Sequence, residues 1–161
     1  MRRWAPRGFI PRMKGDFIVE VETKKISPDA KDLSYAHEGD SGVDLYSTID
    51  IVLKPMQIAM VPTGLQIAIP QGYEAQIRPK SGLAANSGIT VLNTPGTIDA
   101  GYRGEVKVIL INLGNAEYRV EKGKKIAQLV FAKVEHARFA YVEELDKTSR
   151  GSGGFGSTGL H

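Results

Sequence analysis

The sequence contains no cysteine, so disulfide bonds and thiolate chemistry are excluded for this chain. It has only three histidines, His37, His136 and His161, and they share no metal-binding spacing. We therefore expect neither a zinc site nor a histidine-based catalytic triad. No apolar run approaches the roughly 20 residues that a membrane helix requires. These absences favour a cytoplasmic protein that does not contact a membrane.

An excess of positive charge is missing beyond the N-terminal end. The formal net charge is +3, and four arginines lie within the first twelve residues. Without those four charges the chain is nearly neutral, whereas a nucleic-acid surface needs Lys and Arg along a folded face. We expect no nucleic-acid partner. Residues 1–16 lack the apolar core of a secretory signal, and we interpret them as a basic, poorly ordered extension.

Short alternating segments dominate the middle of the chain. Apolar side chains recur at every second position in 17–21, 49–53, 65–69 and 106–110. A period of two is typical of half-buried β-strands. Turn residues separate these segments, and no stretch shows helical periodicity with caps at both ends. The pattern predicts one all-β domain, a sandwich or barrel, over residues 17–145.

Glycine is concentrated at the C-terminal end, where it supplies five of the nine residues from 151 to 159. Glycine loses the most entropy on ordering, so residues 146–161 are predicted to form a mobile tail unless a ligand binds them. Successive backbone N–H groups and the guanidinium of Arg150 suit an anion. Phe155 suits a lid that stacks on a ligand, although a flexible chain end is also compatible with the composition.

Residues 78–84 (RPKSGLA) follow a strand-like run at 73–77. Lys80 provides a point charge, Ser81 a hydroxyl, and Gly82 lets the backbone approach a ligand closely. These groups suit phosphate, and a solvated turn is the alternative interpretation.

Residues 93–105 (NTPGTIDAGYRGE) predict a hairpin, in which Asp99 faces the buried side between Ile98 and Ala100. A hairpin of this size could read a planar base through its backbone N–H and C=O groups. Asp99 could act as a general base on water. An aspartate that caps its own turn is the alternative.

Asp44 and Gln128 are polar residues within apolar, strand-like segments. Aspartate is depleted in strands, and a polar side chain in such a place needs a partner. Each is therefore either a candidate functional-site residue or a structural residue held by hydrogen bonds.

Five segments, in this order along the chain, resemble the five motifs of the trimeric dUTPase family. They are SGVDLYS (41–47), RPKSGLA (78–84), NTPGTIDAGYRGE (93–105), GKKIAQLVF (123–131) and RGSGGFGSTG (150–159). The resemblance implies a jelly-roll-like distorted β-barrel or sandwich, a homotrimer with active sites at subunit interfaces, and Mg²⁺ as cofactor. It implies hydrolysis of dUTP to dUMP and pyrophosphate by attack of water on the α-phosphorus, which limits uracil in DNA and supplies dUMP for thymidylate synthesis.

The resemblance also implies residue roles in base reading, sugar selection and catalysis. Asn93 and the backbone of Thr97 and Ile98 would read uracil. Tyr102 would stack on the deoxyribose and leave no room for a 2′-hydroxyl. Asp99 would orient and deprotonate the attacking water.

The remaining implied roles concern the phosphates, the metal and the tail. Asp44 would contact Mg²⁺ through a bound water. The other substrate-binding residues of the main domain would be Lys80, Ser81, Gly82, Lys107 and Gln128. The residues that close over the substrate from a neighbouring subunit would be Arg150, Phe155, Gly156, Ser157 and Thr158.

The chain departs from the usual family pattern at two positions. Lys80 stands where arginine is usual, which keeps the charge but loses the bidentate fork. Gly101 stands where many members have a second aspartate. The related dCTP deaminases place a catalytic glutamate ten residues after the hairpin aspartate, but this chain has Ile109 there, which cannot transfer protons. A nucleotide sensor without activity is a further alternative, and the presence of Asp99 argues against it.

Overall fold

The computed structural model describes residues 18–154, so the predicted extension at 1–16 and the residues from Phe155 onward lie outside the described part. Ten strands and one short helix occur within it. The strands are β1 (Glu22–Lys25), β2 (Val43–Tyr46), β3 (Ile51–Leu53), β4 (Ile58–Ala68), β5 (Tyr73–Arg78), β6 (Ile89–Val91), β7 (Gly96–Ile98), β8 (Glu105–Asn112), β9 (Tyr118–Val120) and β10 (Lys125–Lys133). The helix is α1 (Ser81–Ser87).

The strands form two four-stranded sheets and one two-stranded sheet. The first sheet has the order β1-β4-β8-β6, the second has the order β2-β10-β5-β7, and β3 pairs with β9. Every pairing is antiparallel. Strands that are close in sequence repeatedly lie in different sheets, as in a jelly roll. The prediction of an all-β, jelly-roll-like domain is confirmed.

Alternating side chains from the sheets build one hydrophobic core. In β8 the side chains of Val106, Val108 and Leu110 are buried, while Lys107 between them is exposed. Removing a side chain of this size from water stabilises the fold by roughly 1.5–3 kcal/mol. The burial of Val106, Val108 and Leu110 confirms the alternation predicted at 106–110, and this alternation orients Lys107 away from the core.

The hydrogen bonds of one polar side chain hold the buried end of β8 in place. Asn112 is fully buried, and its Nδ2 donates to the carbonyl oxygens of Leu53 and Ala116, each at 2.8 Å. Its Oδ1 accepts from the N–H of Gly114 at 2.9 Å. These bonds connect β8 to β3 and to the loop that follows β8, which satisfies the amide inside the core.

The helix was not predicted. It has seven residues, so it is too short for a 3.6-residue pattern to be visible, and none of them is buried. It ends at Gly88, whose left-handed conformation (φ 67°) lets its N–H bond to the carbonyls of Leu83 and Ala84. The described residues include no helix that is long and apolar enough to cross a membrane.

Two strand predictions differ from the structure. The first paired strand occupies 22–25, directly after the predicted segment 17–21, of which Phe17 lies outside the described residues. Residues 93–105 do not form a hairpin whose arms pair with each other: β7 pairs with β5 in the second sheet, and β8 pairs with β4 and β6 in the first. Turn residues predict that the chain reverses, but they do not specify which strand accepts its hydrogen bonds. This segment therefore crosses between the sheets.

Candidate active site

A cleft of about 330 Å³ lies where the chain crosses from β7 to β8. Six predicted site residues line it: Asn93, Thr97, Ile98, Asp99, Tyr102 and Lys107. Met60, Ile77 and Ile109 provide apolar walls. A groove of about 520 Å³ beside the end of α1 is larger, but it contains none of the predicted residues. The cleft is the candidate site because of the residues that line it, whereas volume alone would have favoured the groove beside α1.

Asp99 is exposed and does not face the core, so the prediction of a buried-side carboxylate was wrong. Within β7 the alternation buries Gly96 and Ile98, which turns Thr97 and Asp99 to the other side. Within residues 18–154 the Asp99 carboxylate has no hydrogen-bond or ion-pair partner. It does not cap its own turn with its side chain, and it is free to accept a proton from water in the cleft.

The other side of the cleft is organised around Glu105. The hydroxyl of Tyr102 donates to the carbonyl oxygen of Glu105 at 3.0 Å. The carboxylate of Glu105 accepts from the N–H of Gly64 at 2.9 Å and lies 3.6 Å from Nζ of Lys107. Tyr102 and Lys107 are thus both held by the first residue of β8, which places the ring and the ammonium group beside the cleft.

A second group of predicted residues lies in one row across the second sheet, the sheet that also contains β7. Asp44 of β2 is opposite Gln128 of β10, and Gln128 is opposite Arg78 of β5. Partners in an antiparallel pair project to the same face. Nε2 of Gln128 also donates to the carbonyl of Pro79 at 3.2 Å. That bond holds the chain at the point where it leads into Lys80 and α1.

Asp44 is clamped between two lysines. Nζ of Lys80 lies 2.5 Å from Oδ1, and Nζ of Lys125 lies 2.6 Å from Oδ2. The family resemblance implied that Lys80 binds phosphate and that Asp44 contacts a metal through water, and the structure brings these two groups together as an ion pair. Ser81 and Gly82 follow Lys80 as the exposed first turn of α1.

Lys125 was missed because a β-bulge changes the alternation of β10. Strict alternation would place Lys125 on the opposite face from Gln128. The register shifts between Lys125 and Ala127, so that Lys125 pairs with Tyr46, two residues from Asp44 on the same face. Sequence periodicity does not show such a shift.

The two ion pairs change the acidity of Asp44. Partial burial alone would raise the pKa of this carboxyl, but hydrogen bonds from Lys125 and Lys80 outweigh burial and lower it. The same bond raises the pKa of Lys125. Asp44 is therefore ionised at neutral pH, and Lys125 is charged.

We expect Lys125→Gln to lower the free energy of unfolding at neutral pH and to have no effect in strong acid. The pKa of Asp44 is lowered by folding, so the stabilisation from this carboxylate is present above its unfolded pKa, about 3.9, and is lost as the pH falls through the folded value. Lys125 has a raised pKa, so its contribution is present below about pH 10.4 and is lost as the pH rises through the folded value. Urea unfolding at several pH values measures this difference. Lys124→Gln is the control, because in the described part of the chain the Lys124 side chain makes a single, exposed ion pair with Glu121. An equal pH dependence in both variants would contradict the clamp.

The cleft and the Asp44 group are separate within one chain. β2 and β7 are the two edges of the second sheet, three inter-strand steps apart, or roughly 14 Å. None of Asp44, Lys80 and Gln128 lines the cleft. Residues that would bind one nucleotide are thus not collected at one place by a single copy of the chain.

Of the C-terminal candidates, Arg150 is the one within the described residues. Arg150 is exposed, and its Nε donates to the carbonyl of Gly153 at 2.9 Å within a turn. The other residues predicted to close over the substrate, Phe155, Gly156, Ser157 and Thr158, lie outside the described residues. Residues 134–150 contain no helix or strand and expose large apolar side chains, among them Phe139, Tyr141 and Leu145.

Comparisons with known proteins identify the family. The model of the dUTPase family matches residues 28–159. A protein of Clostridium kluyveri named deoxyuridine 5′-triphosphate nucleotidohydrolase is 50% identical over 141 residues, which cover 88% of this chain and 99% of that protein. A Rickettsia prowazekii protein of the same name is 52% identical over 146 residues, covering 89% and 99%. The solved structure of Staphylococcus bacteriophage 80alpha dUTPase with dUPNHPP is 28% identical with a TM-score of 0.79, covering 88% of this chain and 99% of that one. The chain belongs to the dUTPase family.

Proposed function

We propose that this chain hydrolyses dUTP to dUMP and pyrophosphate, and thereby limits uracil in DNA and supplies dUMP for thymidylate synthesis. The observation that carries the proposal is the cleft, which combines an exposed, unpaired Asp99 with Asn93 and Tyr102. The family membership and the names of the relatives support the same activity.

Base reading is assigned to the β7 side of the cleft. Within residues 18–154, β7 is an edge strand bonded only to β5, so backbone groups on its open side have no partner strand there. The backbone at Thr97 and Ile98, together with the amide of Asn93, offers donors and acceptors to the edge of uracil. Tyr102 across the cleft packs on the deoxyribose and excludes a 2′-hydroxyl.

The chemical step is assigned to Asp99. Its carboxylate takes a proton from a water molecule, the water oxygen attacks the α-phosphorus, and pyrophosphate leaves. A positioned base contributes roughly 10²- to 10⁴-fold to the rate. Positioning and electrostatic stabilisation contribute the rest. The phosphates would be bound by Lys80, Ser81, Gly82, Lys107 and Gln128.

Mg²⁺ is the proposed cofactor, and the residues present fit it as a substrate-bound ion. Within residues 18–154 no cluster of three or more His, Cys, Asp or Glu could hold a metal by itself. Mg²⁺ commonly keeps several waters and is bound by one carboxylate together with substrate phosphates. Asp44 would be that carboxylate, through a bound water, because each of its oxygens accepts a hydrogen bond from one lysine and keeps a lone pair for a water. When bound, the ion would neutralise charge on the triphosphate.

A homotrimer would complete the site. The cleft of one subunit lacks Asp44, which its own chain keeps at the other edge of the second sheet, roughly 14 Å from β7, and neither Lys80 nor Gln128 lines the cleft. The first sheet also exposes Ile58, Met60 and Leu92 next to the cleft, and an apolar surface of this kind is typical of subunit interfaces. We propose that the cleft faces the Asp44–Lys80–Gln128 group of a second subunit, and that Arg150 and residues 155–158 come from a neighbouring subunit.

A nucleotide panel tests the proposed function. Pyrophosphate release is measured with dUTP, dTTP, UTP and dCTP in the presence of Mg²⁺, and sedimentation gives the mass of the assembly. We expect rapid release from dUTP alone and a mass of three chains. Deamination of dCTP would contradict the proposal in favour of the deaminase branch, and tight dUTP binding without turnover would favour a sensor. Ile109, which lines the cleft, argues against deamination.

A further inference from the structure

Three glycines leave space for side chains that are assigned to the substrate. A Cβ added to any of them would come within 3.0 Å of such a side chain, a distance that real Cβ contacts do not show. The pairs are Gly42 with Gln128, Gly96 with Asn93, and Gly104 with Tyr102. Each glycine thus adjoins one residue that is proposed to bind phosphate, base or sugar.

Backbone conformation does not explain these glycines. None of the three has a positive φ, so an L-residue could adopt each of their conformations. Among the other described glycines without a positive φ, an added Cβ would meet nothing at Gly82, Gly101 and Gly154, and it would meet backbone at Gly114. Among the described glycines without a positive φ, contact with a side chain at this distance is therefore confined to partners of proposed ligand residues.

Gly104 has the closest of these contacts. Its added Cβ would overlap the hydroxyl oxygen, Cζ and Cε2 of Tyr102, which are the far end of that side chain. The hydroxyl is anchored on the carbonyl of Glu105 at 3.0 Å. The Tyr102 ring therefore lies directly against Gly104, and any side chain at 104 would displace the ring and break the anchor.

We propose that Gly104 is a specificity-determining positioning residue, which sets the discrimination between deoxyribose and ribose by leaving room for the Tyr102 ring. This inference rests on the proposed role of Tyr102 in dUTP hydrolysis. Displacement of the ring by about 1 Å is enough to reduce catalysis by up to roughly 10²-fold. The loss of kcat/KM falls mainly on dUTP, because UTP already fits poorly. The preference for dUTP over UTP therefore decreases.

The experiment compares kcat/KM for dUTP and UTP in the full-length protein and its variants. Gly101→Ala is the matched control, because Gly101 lies in the same loop, has no positive φ and has open space at its Cβ. We expect Gly104→Ala to lower the ratio of kcat/KM for dUTP to kcat/KM for UTP (the dUTP/UTP ratio) by about tenfold or more, and Gly101→Ala to leave this ratio within about twofold of its wild-type value. In a Tyr102→Ala background, Gly104→Ala should have no further effect on the ratio.

The outcomes separate this inference from the proposed function. A wild-type ratio in Gly104→Ala, even with lower overall activity, overturns the inference and leaves dUTP hydrolysis in place. A further change of the ratio in the Tyr102→Ala background also overturns it, because Gly104 would then act through another group. An unchanged ratio in Tyr102→Ala alone removes the sugar-selecting role of Tyr102 itself.

A second variant keeps the test independent of folding at position 104. Tyr102→Phe removes only the hydroxyl that is anchored on Glu105, and the loss of one hydrogen bond predicts a ratio narrowed by about fivefold. An unchanged ratio in Tyr102→Phe contradicts the anchoring of the ring. The thermal midpoint and assembly mass of each variant identify any general loss of structure.

Discussion

Asp99→Asn is expected to abolish nearly all dUTP hydrolysis and to leave dUTP binding intact. Asparagine has the same shape as aspartate but cannot accept a proton from water, so the loss should be roughly 10²- to 10⁴-fold in kcat. Asp99 is exposed and has no partner in the described part of the chain, so the replacement breaks no structural contact. Stability should therefore be unchanged.

Pyrophosphate release and calorimetric titration with a non-hydrolysable dUTP analogue measure the two effects separately. Asp32→Asn is a suitable control, because Asp32 is an exposed aspartate outside the cleft whose one ion pair among residues 18–154 is with Lys25. Turnover in Asp99→Asn equal to that of wild type would show that the general base is another group.

Deletion of residues 150–161 should leave a folded assembly with kcat/KM for dUTP reduced by at least about 10²-fold. The deletion removes Arg150, which is exposed, and the residues assigned to closure over the substrate, while the core lies between Ala30 and Leu129. A segment that closes over a substrate excludes water and completes the catalytic arrangement. Activity should therefore fall much more than stability does.

The opposite terminus provides the control for this truncation. Deletion of residues 1–16 removes the basic extension, and it should leave kcat/KM within about twofold of wild type, as expected for a terminal segment without an assigned contact.

Arg150→Ala should give a partial loss of kcat/KM of roughly tenfold, the size of one charge-assisted hydrogen bond. Full activity after deletion of 150–161 would exclude the proposed closure.

The strand pattern could be read directly from the sequence. Val106, Val108 and Leu110 are buried and alternate with Lys107, which is exposed, and Ile109, which is half-buried, because one face of β8 meets the core. This pattern is a local property of the segment, so it can be recognised without knowing which strands pair with it. The helix at Ser81–Ser87 could not be read in the same way, since its seven residues bury no side chain and leave no periodic trace.

The partners of the site residues could not be read from the sequence. The five motifs indicated which residues matter, but the pairing of Lys80 with Asp44 depends on a strand register between distant segments. Lys125 joins them only because a bulge shifts that register. The exposure of Asp99 likewise depends on the pairing of β7 with β5 and not with β8.

The sequence by itself determined the all-β class, the candidate residues and the family, because side-chain alternation and motif order are properties of the chain. The tertiary structure decided which of these residues meet: six line the cleft, Asp44 and Lys80 form a pair at the other edge of the sheet, and Tyr102 lies against Gly104. The physical reason is that hydrophobic patterning acts within a strand, whereas register, bulges and close packing arise only between strands.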